Sequence, residues 1–149
     1  MKLAEALQER ADINRRIEQL RARLNINATV QEGEKPAEEP AALLREMDAC
    51  FERMEALMGT INVVNCKTVV NGLSITQMIA RKDCLRIRIQ AYRDLIQSAS
   101  NLSQRAMRTE IKIVRTVDVQ ALQKAVDDLS KELREIDNRI QSTNWTTDI

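Results

Sequence analysis

The chain reads as an all-α protein, a long up-down bundle or antiparallel coiled coil of four helices, with room for a small two-stranded β-ribbon at one end. Three observations predict this. Hydrophobic residues make up 44% of the 149, yet only Phe51, Tyr92 and Trp145 are aromatic, so the core must be built from Leu, Ile, Val, Met and Ala. Charged residues reach 30% against three glycines and two prolines, a composition rich in helix surface and poor in tight turns. Apolar residues also recur in alternating steps of three and four over four long stretches. At this length a single domain spanning residues 1–149 is expected.

The first helix is expected over 2–25, with Leu3, Ala6, Arg10, Ile13, Ile17, Leu20 and Leu24 on its seam. The second, over 40–66, carries Leu44, Met47, Phe51, Met54, Met58, Ile61 and Asn65. Pro40 suits its first turn, where a missing N–H costs nothing. The third, over 75–101, carries Ile75, Met78, Lys82, Leu85, Ile89, Tyr92, Ile96 and Ala99, and Ser74 with Gln77 has the spacing of a capping box. The fourth, over 118–142, carries Val119, Leu122, Val126, Leu129, Leu133, Ile136 and Ile140, with Asp118 as N-cap. Two positions in seven is the stripe of antiparallel hairpins and coiled coils, and helices of about 24 residues are about 36 Å long. Arg10 and Lys82 interrupt their seams. Each marks a register device, a seam open to solvent, or a place filled by another subunit.

Between the second and third helices Asn71-Gly72 supplies a left-handed turn, with Val69 and Val70 as a short extended piece before it. Two other joints alternate. In 26–31, Ile26, Ala28 and Val30 alternate with Asn27, Thr29 and Gln31; in 110–117, Ile111, Ile113, Arg115 and Val117 alternate with Lys112, Val114 and Thr116. Both read as strands, and an up-down path brings them to one end, where they can pair as a ribbon. Glu32 to Glu39 is expected to be an exposed acidic loop.

The chain has no histidine, which excludes His-based zinc sites and the Glu-x-x-His pairs of di-iron bundles. It also removes the usual base for a serine or cysteine nucleophile. Cys50, Cys66 and Cys84 are too few and too dispersed for a four-cysteine site. They are expected to be small, reduced, buried side chains, with Cys66 beside Lys67 the one whose surroundings favour a thiolate. Neither a phosphate-cradling glycine loop nor a nucleophile elbow is present. The expectation is therefore no enzyme, no cofactor and no metal. Charges occupy the first turns, and no apolar run approaches the ~20 residues that cross a bilayer, so a cytoplasmic protein without a membrane partner is expected. The Asn-x-Ser/Thr triplets at Asn27, Asn101 and Asn144 are then chance matches.

A net charge of +1 gives no global attraction to nucleic acid, although Arg81, Arg86, Arg88 and Arg93 crowd the third helix and Arg105, Arg108, Lys112 and Arg115 follow it. This basic face is either solvated and paired with acidic neighbours or a phosphate-binding surface, and the scarcity of aromatics opposes the second. Segments that the heptads leave unexplained are the candidate interaction residues. These are Gln31 and Glu32, then Glu110, Lys112 and Arg115, and the tail residues Asn144, Trp145 and Thr146. The sole tryptophan is a hydrophobic lid on the bundle end or an interface anchor. Narrow stripes bury little within one four-helix unit, so a homo-oligomer, a dimer or larger, is expected, with an unidentified protein partner also open. The expected function is non-enzymatic structure or protein interaction through self-association. Nucleic-acid binding through the basic face of the third helix is the alternative.

Several short stretches resemble one small bacterial family. They are the opening Met-Lys-Leu-Ala-Glu-Ala-Leu, Glu9-Arg10-Ala11-Asp12, residues 25–33 (N-I-N-A-T-V-Q-E-G), Glu110-Ile111-Lys112, Thr116-Val117-Asp118, Leu122-Gln123-Lys124, and residues 144–148 (N-W-T-T-D). In order and spacing the chain resembles the septicolysin-like proteins, a helical family of largely uncharacterised function. The resemblance implies an all-helical protein with no established catalytic residues. The family name implies a cytolysin, which makes membrane activity the third function class, disfavoured by the absence of an export signal or spanning segment.

Overall fold

A computed structural model describes residues 1–101 and 111–149, and the protein is all-α. Among the described residues the order is α1 (Leu3–Ile26), α2 (Pro40–Lys67), β1 (Val69–Val70), β2 (Leu73–Ser74), α3 (Ile75–Ser100) and α4 (Val119–Thr146). The chain divides into two compact units, one of Met1–Ser74 with Thr143–Ile149 and one of Ile75–Ser142. No helix among the described residues is long and apolar enough to cross a membrane.

In the first unit α1 and α2 form an antiparallel hairpin. Its core is aliphatic, with Leu3, Ala6, Ile17 and Leu20 buried from α1 and Leu43, Leu57 and Ile61 from α2. Each buried leucine or isoleucine contributes roughly 1.5–3 kcal/mol by leaving water, and Ala6 less. The α1 seam follows the expected positions except at Arg10, which is exposed. The α2 seam does not follow them. Its buried row is Leu43, Met47, Cys50, Met54, Leu57, Ile61 and Val64, with Pro40, Glu46 and the expected Asn65 also half-buried, whereas Leu44, Phe51 and Met58 of the expected stripe are 46%, 48% and 43% exposed. Both stripes obey the three-four rule and share Met47, Met54 and Ile61. The helix is apolar over a wider arc than one seam, and the pattern alone could not tell which edge faces α1.

The segment 26–31 is not a strand. Ile26 ends α1 and is 77% exposed, while Asn27 is buried, which inverts the expected alternation. The physical reason is the Asn27 amide. Its Nδ2 donates to the Arg23 carbonyl at 2.8 Å, answering an end-of-helix acceptor, and its Oδ1 accepts the Glu38 N–H at 3.0 Å. One polar side chain thus ties the end of α1 to the approach of α2. The loop turns at Gln31, whose carbonyl accepts the Glu34 N–H, and the left-handed Gly33 (φ 85) lies within it. The acidic loop is exposed as expected except at Pro36 and Glu38, both half-buried, the latter held by Arg23.

The two-stranded sheet lies instead between α2 and α3. Val69 pairs with Ser74 and Val70 with Leu73 across the turn Asn71-Gly72. Both turn residues have positive φ, 52° and 82°, the geometry whose twist suits a tight hairpin. A Cβ on Gly72 would meet nothing within 4 Å, so the glycine serves backbone conformation and not space. Pro40 opens α2 in its first turn as expected.

In the second unit α3 and α4 run antiparallel. Ile75, Met78, Leu85 and Ile89 are buried from α3, and Val126, Leu129, Ile136 and Ile140 from α4, all on the expected stripes. Asp118 caps α4, its Oδ1 accepting the Ala121 N–H at 3.1 Å. Residues 111–117 contain no strand, and Ile111 and Val114 point to solvent, because the first alternating segment folds into the Asn27 turn and offers no partner. Residue 110 lies outside the described residues. The tail also departs from expectation: α4 continues through Thr143, Asn144, Trp145 and Thr146.

Replacing Asn27 by alanine leaves the part-buried Glu38 N–H without its partner and removes one of the two donors to the Arg23 carbonyl, which keeps the backbone N–H of residue 27. It is expected to lower unfolding free energy by about 1–3 kcal/mol, read as a shift of the urea midpoint without a change in slope.

Candidate interaction surfaces

Two flanks border the seam of the α1–α2 hairpin. On one, ion pairs step along both helices: Arg53 donates to both carboxylate oxygens of Glu9 at 2.6 and 2.8 Å, Arg16 Nε donates to Glu46 at 2.8 Å, and Arg23 Nε donates to Glu38 at 2.9 Å. Glu9, Arg16 and Arg23 are seven apart, so the ladder runs along one edge, with the sign of the charge reversed at the first rung. The Arg53 guanidinium holds the Glu9 carboxyl below the usual carboxylate range, and Arg23 does the same for Glu38. These rungs were missed at the sequence level, although Glu9, Arg16 and Arg23 at seven-residue spacing, and Arg53, Glu46 and Glu38 in the reversed order of sign, were there to be found.

The other flank is open. A groove of about 590 Å³ runs between Arg10, Asn14, Ile17 and Arg21 of α1 and Phe51, Met54 and Met58 of α2. Arg10, puzzling as a seam residue, forms part of its wall. This groove is the second feature that the misplaced α2 register concealed.

At the other candidate site the two ends of the chain are clasped. The Leu3 N–H donates to the Thr147 carbonyl and the Ile149 N–H to that of Met1, each at 2.9 Å, and Lys2 Nζ pairs with Asp148 at 2.9 Å. Lys2 holds the Asp148 carboxyl below its usual range. Trp145 is 62% exposed and lines a cavity of about 330 Å³ with Ala4, Glu5, Gln8, Glu9 and Asp12, so it is not a sealed lid. Asn144 is buried, and its Oδ1 has no hydrogen-bond partner among the described residues. Thr146 Oγ1 donates to the Thr143 carbonyl.

Gln31 and Glu32 are exposed in the first unit; Lys112 and Arg115 are exposed in the second, where Arg115 Nε donates to the Ala99 carbonyl at 2.9 Å. Glu110 lies outside the described residues. On α3, Arg81 pairs with Glu132, and Arg88 lies 5.5 Å from the centre of the Tyr92 ring. Arg86 and Arg93 are exposed. At about 100° per residue, Arg81 and Arg88 fall on one strip of the helix and Arg86 with Arg93 on another about 120–160° away, so the four do not share one surface. Lys82, half-buried on the seam, pairs with Asp137 of α4, which accounts for it within the unit. Cys50 is half-buried, but Cys66 and Cys84 are exposed, against the expectation of three buried thiols; both fall off the apolar stripe of their helices.

A family model described as a family of unknown function, DUF6847, matches residues 10–149. The chain belongs to that family. A crystal structure titled as a functionally unknown conserved protein from Corynebacterium diphtheriae is similar at 36% identity and a TM-score of 0.90, over 99% of this chain and 97% of that one. No protein of curated function matches. Neither description carries a cytolysin. The DUF6847 assignment leaves the coarser statement, an uncharacterised helical family, in place of the septicolysin-like one.

Two measurements follow. The lowered Glu9, Glu38 and Asp148 carboxyls contribute stability that is present above their ordinary pKa and lost as pH falls through the depressed folded values. The melting temperature should therefore drop as pH falls below about 4.5, less steeply in Glu38→Gln, whose rung has no charge to lose. Trp145 should show solvent-exposed fluorescence with ready acrylamide quenching in the free protein; blue-shifted, protected emission would restore the lid.

Proposed function

We propose that the protein is a non-enzymatic, self-associating helical protein that serves a structural or protein-interaction role in the cytoplasm. The observation that supports it best is the second apolar strip of α2. Leu44, Phe51 and Met58, spaced seven apart, stand nearly half exposed beside a seam that is already filled. Isolated exposed apolar residues need no explanation, but a heptad-spaced row flanking a groove is what a partner helix covers. The identity of any partner other than a second copy stays open in this reading.

The nucleic-acid alternative is weaker. Two of the four α3 arginines are engaged, one by Glu132 and one by the Tyr92 ring, and the remaining two face another way, which leaves few α3 cations to meet one phosphate backbone; of the segment that follows, Arg105 and Arg108 lie outside the described residues. Membrane disruption has less again to rest on, since no spanning helix exists among the described residues. The septicolysin-like resemblance would need vesicle leakage to stand.

Sedimentation velocity from low to high micromolar concentration is expected to show a concentration-dependent shift to a larger species. A strictly monomeric protein throughout that range would refute self-association.

A further inference from the structure

The open flank of the α1–α2 hairpin carries charges in an order that selects its occupant. On α2, Leu44, Asp48, Phe51, Glu55 and Met58 fall within an arc of about 80°. On α1, Arg10, Asn14, Ile17 and Arg21 fall within an arc of about 60°. The α2 wall is therefore apolar with acidic residues interleaved, and the α1 wall carries Arg10 and Arg21 with Glu18 beside them. Arg21 pairs with Glu18. Arg10, Asp48 and Glu55 form no ion pair among the described residues, whereas the opposite flank is fully laddered. Three unpaired charges beside Phe51 and Met58 point to a partner with the complementary arrangement.

We infer that the occupant is a second copy of this chain, docked open flank to open flank about a two-fold axis parallel to the helices. This deepens the self-association reading and rests on it. The parallel axis lays α1 of one copy across α2 of the other. Glu9 lies level with Arg53 within a chain, so Arg10 comes level with the stretch between Asp48 and Glu55 of the partner subunit. Both contacts occur twice by symmetry. The competing two-fold axis, perpendicular to the helices, would set α2 against α2. Centred between Phe51 and Glu52, it would place Asp48 opposite Glu55 of the partner subunit, and like charges would meet on both sides. Charge thus rejects one dimer and favours the other, while Phe51, Met58 and Leu44 supply the buried area. Arg10 is the seam cation that a second subunit accounts for.

The test is sedimentation equilibrium on the full chain with wild type, Arg10→Glu, Glu55→Arg, the double swap of both, and Phe51→Ser. All three positions are solvent-facing, and far-UV circular dichroism with melting curves checks that each variant stays folded. Each single charge reversal and Phe51→Ser should raise the dimer Kd about tenfold or more. The double swap should recover most of that loss, a result that a purely local effect on either helix would not produce. If the wild type associates but neither the reversals nor Phe51→Ser weakens it, the interface lies elsewhere and this inference fails while self-association stands. If the reversals weaken the dimer and the double swap does not restore it, the pairing is wrong. A monomeric wild type overturns both readings.

Discussion

Helices that bury apolar residues in steps of three and four can slide past one another by a heptad and bury nearly the same area, so something other than area must fix which residues meet. In the first unit that role falls to the ladder from Glu9–Arg53 through Arg16–Glu46 to Arg23–Glu38. Exposed ion pairs are worth about 0–1 kcal/mol each, too little to hold a fold together. Their reversed order of sign nevertheless penalises shifted alignments, because a slip of one rung places Glu9 beside Glu46 or Arg16 beside Arg53. Asn27 sets the same register from the loop end. In the second unit Lys82–Asp137 does similar work from within the seam, where a half-buried ammonium tolerates few alternatives.

With register settled on one flank, the other is free to differ, and the hairpin becomes two-sided. Its laddered edge is electrostatically closed within the chain. Its groove edge combines exposed apolar residues with Arg10, Asp48 and Glu55, which form no ion pair among the described residues. Such asymmetry is expected of a helix pair that has a neighbour, since a helix meant to face water on both flanks gains nothing from a second apolar strip.

Much of the fold was legible because it rests on local chemistry. The helices follow from periodicity, and Pro40, Asp118 and Asn71-Gly72 act through their own backbone geometry or capping groups. The α3 and α4 stripes were legible residue by residue because each helix has a single apolar row. The α2 stripe was not, because two overlapping rows share Met47, Met54 and Ile61 and only the position of α1 chooses between them. The strand reading of 26–31 failed for a different reason: a buried amide that caps a helix looks, in sequence, like the polar half of an alternation. Continuation of α4 through Asn144 and Trp145 carried no heptad signal, and the hydrogen bonds from the N-terminal segment that meet it are long-range. The open flank was illegible as a site because it is a relation between helices: Arg10 drew attention alone, but its meaning came from facing Phe51 across a groove.

The Asn27 clamp has a consequence for how the hairpin forms. It joins residues only 11 apart, so the loop can close in about 10–100 ns, far sooner than distant contacts can meet. Pairing is then expected to propagate from the Arg23–Glu38 rung outward and to reach Glu9–Arg53 last. On that order the rung beside the clamp bears on how fast the hairpin is made, and the far rung on how readily it begins to come apart.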